Sequence, residues 1–280
     1  MEAITDDGQR LKINTAFVKK ILVDFIRDET QNAGFTKAVV GLSGGVDSAL
    51  SAFLAAEALG ADNLLAVLMP YKASSTESLS HARLVVDALK IRSETCEITP
   101  MVDPFFGLHN IHDNVRRGNV MARMRMIVLY DYSSREKALV IGTSNKTETM
   151  LGYGTLFGDM ASAINPLGDL YKTQVWAMAK AVGVPQQIIH KKPTADLWQG
   201  QTDEGELGFS YREADRLLYH MIDERRTDEE LVELGFDRKF VSRVKGIVQR
   251  NQFKRRPPLI AKISSRTVNV DFRYVRDWGI

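Results

Sequence analysis

The chain of 280 residues is 44% hydrophobic and 26% charged, enough apolar material for one large domain or for a domain with an appendage. Its net charge of +2 argues neither for nor against a polyanionic partner, although the stretch from Asp237 to Ile280 carries 12 Lys+Arg against 3 Asp+Glu. Cys96 is the only cysteine, which excludes an internal disulfide and a cysteine metal cluster and fits a reducing cytoplasm. The N-terminal "MEAITDDGQRLKIN" is acidic and polar, unlike a signal peptide. No apolar run approaches the ~20 residues of a membrane span.

In chain order, Leu11, Ile13, Phe17, Val18, Ile21, Leu22, Phe25 and Ile26 recur at helical spacing and predict an amphipathic first helix within residues 1–36. "KAVVGL" (37–42) reads as a buried strand, followed by a glycine turn and a helix that Gly60 closes. "NLLAVLMP" (63–70) is a second strand, about 75–90 a second helix, and "SETCEIT" (93–99) a third strand. A Met-rich helix over 117–135 precedes a fourth strand, "KALVIGT" (137–143). Strands alternating with helices at this spacing imply an α/β fold, a doubly wound parallel sheet flanked by helices. Ligands of such sheets sit beyond the carboxyl ends of the strands, where the glycine turn and "GTSNKTE" both fall. From Gly152 to Tyr211 the chain is rich in Gly, Pro, Asp and Thr with one clear helix, about 171–182, and helices return near 211–224 and 237–250.

The glycine turn is Ser43-Gly44-Gly45-Val46-Asp47-Ser48. It has no Lys, so it is not a Walker A loop, and it lacks the dinucleotide fingerprint G-x-G-x-x-G. Two glycines let the backbone approach an anion, and the amides that open the next helix point toward it. An Asp inside such a loop repels phosphate unless a cation lies between them, so Asp47 points to Mg²⁺. Glu148, just past the fourth strand, falls at the same sheet edge and supplies a second hard carboxylate.

The hexapeptide resembles the signature of the PP-loop ATP pyrophosphatases, which implies an adenine nucleotide alpha hydrolase-like, Rossmann-like fold. In that superfamily the β- and γ-phosphates leave together as pyrophosphate and the substrate is adenylated. "IGTSNKTETMLGYGTLFGDMASAINPLGDLYKTQV" (141–175), with "GNVMARMRM" (118–126), "KKPTADLW" (191–198) and "TDEGELGFSY" (202–211), resembles the NAD synthetases. The resemblance implies a cytoplasmic C–N ligase that converts nicotinic acid adenine dinucleotide to NAD with ATP, Mg²⁺ and ammonia, the last step of NAD biosynthesis. It places ATP on Gly41, Leu42, Ser43, Gly44, Gly45, Val46, Asp47, Ser48, Thr143, Lys172 and Thr194, and the metal on Asp47 and Glu148. Arg123, Glu206 and Lys254 match substrate contacts, and Asp47, Lys172 and Asp159 the catalytic set. For Asp159 a second metal and the orientation of ammonium are both open. The catalytic core spans 37–258, with Glu206 in a lid over about 198–210 and a tail, 259–280, of no assigned role.

Some family members carry a basic residue where Leu68 stands, and Lys and Asp at the positions of Leu156 and Ala163. The glutamine-dependent members carry an extra N-terminal amidase domain with a nucleophilic Cys. Cys96 falls in a predicted strand as a small hydrophobe, so free ammonia is expected. The family implies a homodimer, to which the Met-rich helix (Met121, Met124, Met126, Val128, Leu129) offers a candidate surface, and no nucleic acid or membrane partner. The rival is a PP-loop enzyme that adenylates a tRNA base, favoured by the basic C-terminal segment.

Overall fold

Four short strands carry the architecture. In the computed structural model, which describes residues 10–198, 200–256 and 258–268, β1 (Lys37–Gly41) runs parallel to β2 (Leu64–Leu68) and β4 (Ala138–Ile141). β3 (Arg92–Thr95) pairs parallel with β2, giving the order β3-β2-β1-β4. The strands are short and apolar because both sheet faces are covered, as parallel sheets require. Ala38 and Val40 enter one layer while Val39 between them enters the other.

The first layer rests on α1 (Thr15–Asn32), α2 (Val46–Leu59) and α3 (Thr76–Leu89). The first helix starts later than the periodicity implies, because the Asn14 side chain accepts from Phe17 N at 3.1 Å and caps it there. Leu11 and Ile13 precede the helix and pack from outside it. Gly60 closes α2 at φ 87°. Leu50 of α2 is fully buried beneath the sheet, so Leu50→Ala is expected to cost about 3 kcal/mol, read as a lowered urea midpoint with an unchanged slope.

The second layer holds α4 (Thr99–Leu108) and α5 (Asn114–Glu136). The sequence pattern does not reveal α4, whose Pro100 sits in the first turn, where a missing N–H costs nothing, and whose Pro104 breaks the period. In α5, Met121 and Val128 are buried, and Met124 and Leu129 pack on the same core. Met126 lines the central cleft. The Met stripe thus faces inward, and the apolar residues that α5 turns to solvent are Val115, Ile127 and Tyr130.

After β4 come α6 (Lys146–Leu151), α7 (Lys172–Val182), α8 (Gln186–His190) and α9 (Asp203–Leu207). The stretch that reads as irregular therefore contains two short helices besides the expected one. A third apolar cluster joins α10 (Tyr211–Leu218), α11 (Asp228–Glu233) and α12 (Arg238–Arg250) to Leu151 of α6 and Tyr171 before α7. Among the described residues no helix is long and apolar enough to cross a membrane. Residues 1–9 and 269–280, which include most of the tail, lie outside the described residues.

Candidate active site

The sheet order reverses between β1 and β4, and the loops leaving those two strands open a crevice there, as expected of doubly wound sheets. A cleft of about 490 Å³ lies along it. That volume suits a small-molecule ligand rather than a macromolecule. Leu42 N still donates to Val67 O at 3.0 Å, and then the chain turns. Gly44 takes φ 77°, and a Cβ there would stand 2.1 Å from Ser78 O, so only glycine fits. Ser48 Oγ donates to Gly45 O at 3.0 Å and accepts from Ser43 N at 3.2 Å. Gly44 and Ser48 thus shape the loop from behind, while Gly41, Leu42, Ser43, Gly45, Val46 and Asp47 face the cleft. Gly45 caps α2 without a side-chain acceptor, which leaves the opening amides of that helix to a ligand anion.

Three helix starts converge under this loop. Asp47 lies in the first turn of α2, Glu148 in that of α6, and Lys172 opens α7. Lys172 Nζ donates to Asp47 Oδ2 at 2.6 Å and to Glu148 Oε1 at 2.9 Å, with its side chain only 2% exposed. Burial opposes the ammonium, but the two carboxylates outweigh it and hold the Lys172 pKa above its ordinary value. Burial likewise pushes the Glu148 carboxyl up, an effect Lys172 opposes and Asp47 reinforces. The Tyr211 ring lies 5.0 Å from Lys172 Nζ. Asn145 ties the pair together, since its Nδ2 donates to Asp47 Oδ1 and its Oδ1 accepts from Glu148 N, both at 2.9 Å. Its backbone N also donates to Glu148 Oε2 at 3.3 Å, completing a capping box.

This donor set fits Mg²⁺, which takes one or two carboxylates and completes its shell with water and phosphate oxygens. The two carboxylates already share one cation and face an anion-binding loop. Among the described residues no group of three or more His, Cys, Asp or Glu converges, so a cation held here draws its other oxygens from a ligand.

Of the other expected residues, Thr143, Asp159, Thr194, Glu206 and Lys254 line the same cleft. Asp159 Oδ1 accepts from Thr155 N at 2.6 Å, and burial raises its pKa against the pull of that bond and of Lys254 and Arg125. Lys254 Nζ donates to Gly152 O at 2.7 Å and Gly154 O at 2.8 Å, and so holds the loop that carries Asp159. Arg123 is not brought to the cleft. It is exposed, with Nε donating to Leu156 O at 3.3 Å. Positions two apart on a helix point about 200° from each other, and it is Arg125 that lines the cleft, anchored by Nε to Met69 O at 3.0 Å. Leu68 also lines the cleft, whereas Leu156 and Ala163 do not.

Sequence reasoning missed Asn145, Arg125, Tyr153 and Asp203. Asp203 is buried, its pKa raised by that burial, and it accepts from Tyr211 OH at 3.0 Å. The Tyr153 hydroxyl lies 3.1 Å from Asp203 Oδ1 and 2.9 Å from Glu206 Oε2. Gln201 Nε2 donates to Glu206 Oε1 at 2.8 Å within the 201–206 segment, and the Tyr153 contacts tie that segment to the cleft wall. Only Asn145 had a legible signal, the N-x-x-E spacing of a capping box. The C-terminal bases partly turn inward, since Arg255 donates to Met150 O at 2.7 Å and to Val248 O at 2.9 Å.

A parallel sheet with a glycine loop without lysine after β1, whose Asp47 is paired with Glu148 after β4, defines an adenylating enzyme of the PP-loop ATP pyrophosphatase class. The family model described as NAD synthase matches residues 18–258. The chain is 58% identical over 270 residues, 96% of its length, to an NH(3)-dependent NAD(+) synthetase of Trichlorobacter lovleyi, of which it covers 99%. It is 57% identical over 272 residues to one of Chlorobaculum parvum, covering 97% of this chain and 98% of that one. Among solved structures, the NH3-dependent NAD synthetase from Campylobacter jejuni superposes with a TM-score of 0.78 at 35% identity, covering 90% of this chain and 100% of that one. The NMN synthetase from Francisella tularensis gives a TM-score of 0.80 at 33% identity with the same coverages. The chain belongs to the NAD synthase family and is a ligase. A tRNA-modifying identity is not favoured.

Proposed function

We propose that the protein joins ammonia to nicotinic acid adenine dinucleotide at the cost of ATP, forming NAD, AMP and pyrophosphate. The observation that carries this reading is the near full-length identity to ammonia-dependent NAD synthetases. The Asp47–Lys172–Glu148 cluster beneath the glycine loop supports it.

In the first step a nicotinate carboxylate oxygen attacks the α-phosphorus, and the bond from that phosphorus to the pyrophosphate oxygen breaks. The loop from Gly41 to Ser48 grips the departing phosphates through backbone amides and the Ser43 hydroxyl. Asp47 and Glu148 would hold Mg²⁺, which would neutralise triphosphate charge. Lys172, whose ammonium is kept charged, answers negative charge that gathers on pyrophosphate. Thr143 and Thr194 orient the nucleotide. In the second step ammonia attacks the acyl carbon, the C–N bond forms, and the C–O bond to AMP breaks with loss of a proton from nitrogen. Asp159, with its raised pKa, orients the incoming nitrogen and receives that proton. Lys254 and Arg125 serve the dinucleotide, and Arg123, on the outer side of α5, meets substrate only where a partner subunit extends the site.

The reading includes a core over 37–258, a lid over about 198–210, a homodimer and a cytoplasmic setting, the last suited to the single thiol of Cys96. The exposed Ile127 and Tyr130, one and two turns beyond Arg123 on α5, are the apolar residues that a second copy would cover. A lid keeps the acyl-adenylate from water until the amine arrives. Tyr153→Phe removes the hydroxyl that meets Asp203 and Glu206, so AMP is expected to exceed NAD severalfold in the product mixture, as read by chromatography. Equal amounts would show that this contact does not close the lid.

The test of the function is incubation with ATP, Mg²⁺, ammonium and nicotinic acid adenine dinucleotide. NAD, AMP and pyrophosphate are expected in equal amounts. Intact ATP, or glutamine serving at least as well as ammonium, would sink the assignment. Because the Francisella tularensis neighbour is an NMN synthetase, nicotinic acid mononucleotide is run alongside and is expected to be the poorer acceptor.

A further inference from the structure

Lys172 lies between the Asp47 and Glu148 carboxylates, 2.6 Å from one and 2.9 Å from the other. Two carboxylates this close repel, and burial makes the repulsion costly unless a cation offsets it. Asn145 holds Asp47 Oδ1 through its Nδ2 and Glu148 Oε2 through its backbone N–H, so neither acid is left to swing away. The Tyr211 ring lies 5.0 Å from the same ammonium, a contact that does not depend on the two acids.

We propose that Lys172 is an internal stand-in cation: it occupies the two metal carboxylates until nucleotide arrives, so that divalent metal enters only together with ATP. The proposal rests on Asp47 and Glu148 as the metal ligands of the function inferred above. Three consequences follow from charge alone. Without nucleotide, a free divalent ion must compete with an ammonium tethered to the same oxygens, and the protein binds it weakly. The incoming triphosphate adds negative charge, which draws the ammonium off the carboxylates and creates a partner for it. The acids meanwhile stay preorganised, so no repulsion has to be overcome when metal and nucleotide enter.

The probe is Mn²⁺ titrated in the absence of nucleotide and followed by electron paramagnetic resonance, on wild type and on Lys172→Met. Removing the competitor is expected to tighten nucleotide-free Mn²⁺ binding by about tenfold or more, the scale of one neighbouring charge. Glu148→Gln added to Lys172→Met should cancel the gain, because the bound ion then loses a carboxylate. Thermal unfolding gives an independent reading. Wild type should melt at the same temperature in EDTA and in Mg²⁺, whereas Lys172→Met should melt lower in EDTA and recover in Mg²⁺. A variant that folds only with Mg²⁺ also supports the proposal. Mn²⁺ affinity in Lys172→Met that equals or falls below wild type overturns it. So does tight nucleotide-free binding by wild type, a measurement that needs no variant to fold. Loss of NAD formation by wild type would instead refute the proposed function and leave the metal titration standing.

Discussion

Asp47→Asn is expected to slow pyrophosphate release by about a thousandfold while leaving the fold intact, the scale seen when a preorganised charge contact in a reacting site is removed. The substitution is isosteric: its amide oxygen accepts from Asn145 Nδ2, which meets Asp47 at 2.9 Å, while its amide nitrogen takes the place of Oδ2 and turns Lys172 toward Glu148. Lys172 keeps Glu148 at 2.9 Å, so the buried ammonium is not stranded. What disappears is one carboxylate charge at the mouth of an anion loop. Without it the loop gains affinity for bare triphosphate but loses a hard ligand for the cation that must accompany it. Pyrophosphate formation by a coupled assay, with circular dichroism as the folding control, reads the effect. A loss smaller than about tenfold would remove Asp47 from the catalytic set.

Gly44→Ala is expected to be the most damaging glycine-to-alanine change among the described residues. Position 44 has φ 77°, where an L-residue pays about 1–2 kcal/mol. Its Cβ would also stand 2.1 Å from the Ser78 carbonyl oxygen, a backbone atom of α3 that no rotamer change can move aside. The loop or α3 must shift, and both border the cleft. A total of about 3 kcal/mol or more is expected, together with loss of measurable ATP binding. Gly34→Ala is the control: φ is 81° there, but nothing lies within 4 Å of the added carbon. It should cost about 1–2 kcal/mol and leave ATP affinity unchanged. Chemical denaturation and calorimetric titration compare the two, and equal destabilisation would mean that the Ser78 contact is relieved without cost.

The alternation of strand and helix was readable because its signals are local. Val39-Val40, "LLAVL" and "ALVI" are short apolar runs that only a sheet covered on both faces can bury. The glycine loop was readable for the same reason: Gly44, Gly45, Asp47 and Ser48 sit within one turn, so their chemistry follows from spacing. α4 was missed because Pro100 and Pro104 break the helical pattern while the backbone tolerates them. Arg123 and Arg125 are indistinguishable in "ARMRM", since the phase of α5 against the sheet decides which of them meets the cleft.

Local pattern in the chain was therefore sufficient for the fold class, for the anion loop and for the placing of Asp47 and Glu148 at one edge of the sheet. It was not sufficient for their joint environment. Lys172 reaches Asp47 across 125 residues of chain, Lys254 reaches the Gly152 carbonyl across 102, and Tyr153 meets Asp203 across 50. Such contacts arise from helix phase and from the packing of α6 and α7 against the C-terminal helices, and no short-range periodicity encodes them. The same packing turns Lys254 and Arg255 inward onto carbonyls, so of the bases that read as a nucleic-acid surface Lys254 supports the loop that carries Asp159 and Arg255 ties α6 to α12.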